Sequence, residues 1–144
     1  MAQYKHLAIY REAFQFLIYC EKIVKNFSRY HKYAHGSDLR NKAWQVVKLI
    51  IRANNSRNRL PVLEELRITL KETKLIFRIC KEVKAFNNFK SFETAINQVT
   101  EICRLNHCLK RALKLLPPEN KIVVIRQTGQ YSGSIMERRV SLQL

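Results

Sequence analysis

Between Pro61 and Phe86 the residue pattern reads as one long helix, apolar over an arc too wide for an ordinary surface helix. Pro61 suits its first turn, because the N–H that proline lacks would be unpaired there anyway. Leu66, Leu70 and Phe77 flank one side of a central line, Ile68, Leu75 and Ile79 flank the other, and Ile76, Cys80 and Val83 lie behind. A helix of this kind is packed on two sides, by neighbours in its own bundle or by another subunit.

The central line is basic. At about 100° per residue, Arg67, Lys71, Lys74, Arg78 and Lys81 fall within about 40° of it and form a stripe roughly 20 Å long. Glu64 and Glu82 sit just off one side, and Glu65 and Glu72 lie nearer the far side. Such a ridge suits the phosphates of a polyanion. It also suits the solvated side of a bundle helix whose glutamates limit repulsion. Whole-chain charge favours the polyanion: 27 Lys and Arg face 11 Asp and Glu, a formal +16 with a pI near 10.1. Solubility needs far less. From Arg29 to Arg59 eight bases face Asp38 alone, directly before the striped helix. The expected partner is a nucleic acid or an anionic surface, bound with strong salt dependence.

The remaining pattern is helical. From about Leu7 to Phe27, Ile9, Ala13, Phe16, Leu17, Cys20 and Val24 repeat at steps of three and four, with Tyr10, Phe14 and Ile18 widening the seam. The segment SRYHKYAHG breaks that pattern. Ser37 is then placed to cap a second helix starting at Asp38 and running to about Ala53, with Leu39, Ala43, Val46, Val47 and Ile50 inward. Asn87 and Asn88 end the third helix, and Ser91 is the expected cap of the fourth. That helix uses Phe92, Ala95, Ile96, Val99, Ile102, Cys103, Leu109 and Leu113 and stops at Pro117-Pro118. The expected fold is an all-α, up-and-down four-helix bundle over residues 1–116. The tail, 117–144, holds two β-prone runs around glycine and serine and reads as a hairpin, a docking arm or disorder.

Composition narrows the function further. An apolar share of 47% is that of a globular domain, so disorder does not explain the charge. No apolar stretch is long enough for a bilayer, and the N-terminus lacks the apolar core of a signal peptide, so a cytoplasmic protein with no membrane partner is expected. Cys20, Cys80, Cys103 and Cys108 make no C-x-x-C pair, and neither Cys103 and Cys108 with His107 nor His31 with His35 completes a metal set. With only Gly36, Gly129 and Gly133 there is no phosphate-cradling loop, and paired carboxylates are not evident. No catalysis, cofactor or metal is expected.

Several linked phrases then point to a family. Arg29-Tyr30 before the turn, Gly36 to Arg40 opening helix two, Ile51-Arg52-Ala53-Asn54, and Lys81 to Phe86 resemble the bacterial four-helix-bundle family that includes the accessory variability protein (Avd) of diversity-generating retroelements. The resemblance covers roughly His6 to Leu116 and extends to a relative encoded in intervening sequences of ribosomal RNA genes. It implies a homopentameric barrel with a basic exterior that binds RNA and the element's reverse transcriptase. It also implies a bacterial or phage origin, no catalysis of its own, and support of error-prone cDNA synthesis from a template-repeat RNA. Relatives often carry a tryptophan near the end of helix four, whereas the one tryptophan here is Trp44 in helix two.

The residues expected to bind nucleic acid come from charge placement and not from the resemblance. They are Arg67, Lys71, Lys74, Arg78 and Lys81 on the stripe, with Arg52, Arg57 and Arg59 near its start. Tyr30 and Tyr33 are weaker candidates for stacking on unpaired bases. RNA, DNA and a hybrid duplex are not distinguished, because phosphate contacts carry little sequence information. The alternative is a basic helical scaffold, of the intervening-sequence type, that recruits an acidic protein.

Overall fold

A computed structural model describes residues 7–115. Four long helices, α1 (Ala8–Lys25), α2 (Ser37–Asn55), α3 (Leu60–Glu82) and α4 (Phe89–Leu115), pack in a ring in which each touches the next and α4 closes against α1. Short links make successive helices antiparallel neighbours, the arrangement of a helical bundle. No strand occurs among the described residues. The stop at Pro117-Pro118 and the three alternatives for the 117–144 tail lie outside them.

One apolar core runs through the ring. Phe16, Leu39, Leu66, Phe77 and Ile102 are fully buried, and every inward position expected on α2 is buried. At one end Phe77, Phe86, Phe27 and Phe92 interlock with ring centroids 5.5 to 6.2 Å apart. Two of those pairs, Phe27–Phe86 and Phe86–Phe92, meet edge to face, a geometry favoured by the ring quadrupole. Seam residues Phe14 and Ile18 differ from expectation, since both are exposed and only Tyr10 is half-buried. They lie more than about 100° around α1 from the line of Ile9, Phe16 and Cys20, beyond the reach of α2 and α4.

The link SRYHKYAHG is not a break. Ser28 caps a helical turn, Arg29–His31, by accepting from the His31 N–H at 3.5 Å, and a π-helical turn, Lys32–Gly36, runs on into α2. Ser37 therefore caps nothing. Gly36 has an ordinary helical φ of −62°, so it is not a turn residue. Its role is close approach, because a Cβ there would come within 2.6 Å of Val24 Cγ1 on α1. The glycine that ends a segment expected to break the helical pattern thus serves as a packing contact inside a helical run.

The other link also departs from expectation. Helix α3 ends at Glu82, short of Phe86, in a Schellman motif: Ala85 N–H donates to Cys80 O at 2.8 Å and Lys84 N–H to Lys81 O at 3.1 Å. Lys84 occupies the left-handed position with φ 59°, where glycine is the usual residue. The reversal turns Phe86 inward to the aromatic cluster. Asn88, not Ser91, then caps α4, its Oδ1 accepting from Ser91 N–H at 2.8 Å and from Ser91 Oγ at 3.1 Å.

Candidate nucleic-acid interface

The basic stripe forms one edge of the groove between α3 and α4. Lys81 lies over the rings of Phe89 and Phe92, at 5.6 and 5.2 Å from their centroids. Lys74 reaches Cys103, whose thiol is pushed up by burial and pulled partly back by that lysine. Arg67 shares a small hollow with His107 and Lys110 of α4. Two α4 bases thus extend the stripe across the groove. Reading α3 alone missed them, because their position follows from the packing of two helices separated by an intervening turn.

Within the stripe the bases divide by partner. Arg67 is clamped on Glu64, with Nη2 to Oε1 at 2.5 Å, and Lys110 holds the other carboxylate oxygen of Glu64. Bonded first by Arg67 and then by Lys110, that carboxyl is lowered from 4.5 to about 2. Lys71 and Arg78 are exposed and have no carboxylate partner among the described residues. The middle and far part of the stripe is accordingly where unneutralised positive charge stands on the surface.

The three bases expected near the start of the stripe are not brought to it together. Arg52 of α2 is ion-paired with Glu65 of α3, and Ser56 Oγ donates to the Arg52 carbonyl at 2.6 Å. Arg57 is exposed on the link. Arg59 is a correction, being only 2% exposed, with its Nη1 donating to the Arg57 carbonyl at 3.3 Å. The tight α2–α3 link folds its guanidinium inward, so Arg59 does not present charge to a surface ligand. Tyr30 and Tyr33 stand 73% exposed on the helical turns before α2, with His31 and His35 stacked beside them at 6.1 Å.

A third surface of α3 faces away from the core. Ile68 and Leu75 are 48% and 57% exposed, with Ile79 and Val83 exposed beyond them. Of the two packed sides expected for this helix, the bundle covers one. The α2 flank of that face carries the Lys42–Glu72 pair at 3.0 Å and the Arg52–Glu65 pair.

Buried thiols carry no evident chemistry. Burial raises Cys20 well above its ordinary value and Cys80 to about 11, so both are protonated, poor nucleophiles at neutral pH. Among the described residues no three His, Cys, Asp or Glu side chains are grouped to hold a metal ion, and no helix is long and apolar enough to cross a membrane. No family model, curated protein or solved structure matches the chain.

Proposed function

We propose that this protein is a non-catalytic, nucleic-acid-binding accessory subunit of a diversity-generating retroelement. In this reading it acts in the cytoplasm and binds the template RNA and the reverse transcriptase during mutagenic cDNA synthesis. The single observation that carries the proposal is the pair of accessible bases without a carboxylate partner among the described residues, Lys71 and Arg78, in line with Lys74 and Lys81 on the α3–α4 edge of a chain of formal charge +16. The resemblance of the linked phrases to the Avd family supplies the retroelement setting. The uncovered apolar face of Ile68, Leu75 and Ile79 supports self-association, for which the family's pentamer is the proposed form. That same face favours the second reading, a basic scaffold of the intervening-sequence type that recruits a protein partner.

Crosslinking and immunoprecipitation of the tagged protein from its host, with sequencing of bound RNA and mass spectrometry of bound protein, tests the proposal. Enrichment of a template-repeat transcript with a reverse transcriptase is the expected result, lost when Lys71, Arg78 and Lys81 are replaced by Glu. Recovery of an acidic protein without RNA would overturn it in favour of the scaffold.

A further inference from the structure

The sole tryptophan of the chain is on the wrong side of its helix for a core residue. Trp44 is 50% exposed, near the outer line of α2, while Leu39, Ala43, Val46 and Ile50 face the core. Around it the helix supplies only polar neighbours: Asn41 one turn before, Gln45 next to it, and Lys48 one turn after, with Nζ 6.0 Å from the ring centroid. These four residues line an open hollow of ≈ 580 Å³. On its other side Trp44 borders a second hollow of ≈ 130 Å³, shared with Glu21, Ser37, Arg40 and Asn41. The one carboxylate in either hollow, Glu21, is held by Arg40 at 3.1 Å. Asp38, exposed at the start of α2, lies outside both.

We infer that Trp44 is a stacking platform for an unpaired base of single-stranded nucleic acid. The inference rests on the nucleic-acid reading above and adds to it a second contact with a different preference. An aromatic face set among cations takes bases of any sequence and is accessible only when the base is not already stacked in a duplex. Asn41 and Gln45 each carry an amide donor and acceptor beside the ring, and Lys48, which has no carboxylate partner among the described residues, supplies charge for a flanking phosphate. A protein partner fits less well: these hollows offer cations and amides with no apolar neighbour beside the ring. The platform lies on the α1–α2 side of the ring, beside Glu21 and Arg40, and the stripe lies on the α3–α4 edge, where Lys81 sits over Phe89 and Phe92. An RNA engaging both would present structured phosphates to one and a single-stranded segment to the other.

Because Trp44 is the only tryptophan, its fluorescence reports this site directly. The intact protein is titrated with a short dye-labelled RNA, single-stranded or annealed to its complement, while tryptophan emission and dye anisotropy are followed. Saturable quenching by the single strand and little by the duplex is expected. Trp44→Ala should weaken single-strand binding roughly tenfold and leave duplex binding unchanged, with Trp44→Phe recovering most of the loss because it keeps a π face. Lys48→Ala, which leaves the ring in place, should weaken the single strand alone by a smaller factor. Single-strand binding without quenching, unaltered by Trp44→Ala, overturns the platform and leaves the proposed function standing. Binding of neither RNA overturns both. Blue-shifted emission that moves to the red on dilution marks a contact between copies of the chain and likewise overturns the platform.

Discussion

Helix α3 presents two apolar faces of similar composition and opposite fate. On one, Leu66, Leu70 and Phe77 are completely buried in the bundle, while on the other Ile68 and Leu75 are about half exposed. The difference shows that apolar content does not say what covers a helix. The inner face is covered by this chain's own helices. The outer face is left exposed by the four helices, and an exposed row of large aliphatic side chains is the kind of surface on which contacts form, which makes it the place to test for one.

The largest expected effect lies on the inner face. Phe77→Ala removes a ring that meets Phe16 edge-on at 5.9 Å and stacks near Phe86 at 6.2 Å, and it should cost about 3–5 kcal/mol of unfolding free energy. Urea denaturation measures it. A loss below about 1 kcal/mol would mean that the aromatic end of the core is loosely packed and the contrast between the faces is weaker than their burial implies.

The outer face should respond in the opposite way. Leu75→Glu with Ile79→Glu is expected to leave helicity intact, since neither side chain fills the core. It should reduce an oligomer to a single subunit by light scattering, because two charges would have to be buried unpaired at the contact. A loss of unfolding free energy in the double variant as large as that expected of Phe77→Ala would break the comparison by placing Leu75 and Ile79 in the core after all.

How far the sequence alone reaches is set by which forces are local. Periodicity found all four helices and most of their apolar inward residues, because the repeat is written within each helix, but it passed over Ile23, Leu49 and Leu63 and the buried polar residues Thr69, Thr73 and Asn106. It misjudged Phe14 and Ile18, whose burial depends on where neighbouring helices end up. It took the segment ending at Gly36 for a break, since the 2.6 Å approach of that glycine to Val24 belongs to a different helix. It assigned the cap of α4 to Ser91 and read Asn88 as the end of the preceding helix, whereas Asn88 is the cap, a matter of three residues that only the backbone path decides. For the interface, the charge pattern placed the stripe but not its partners: Arg52 is taken up by Glu65 and Arg59 is folded inward. A count of charges also passed over Trp44, because an exposed aromatic leaves no trace in net charge.

A smaller effect comes from the residue that closes α3 for both faces at once. Lys84 holds a left-handed conformation that costs a side-chain-bearing residue about 1 kcal/mol and glycine almost nothing. Lys84→Gly should therefore stabilise the protein by roughly that amount, with the Schellman bonds retained and the oligomer mass unchanged. A change of mass would show that the end of α3 sets the register of the outer face, coupling two surfaces that otherwise behave independently.

The smallest effect belongs to the edge between those faces, where Glu64 joins Arg67 to Lys110. Its carboxyl is lowered to about 2, first by the Arg67 hydrogen bond and then by Lys110. A folded-state value below the ordinary 4.5 means that the pair contributes stability above pH 4.5 and loses it as the pH falls through about 2. The exposure of the site keeps the contribution small. A carboxyl-detected NMR titration should accordingly place the Glu64 midpoint near 2. Arg67→Ala should raise it more than Lys110→Ala, following the order of the two causes. An equal response to both would mean that α4 holds the carboxylate as firmly as α3 does, making the α3–α4 groove a rigid wall along the length of the stripe.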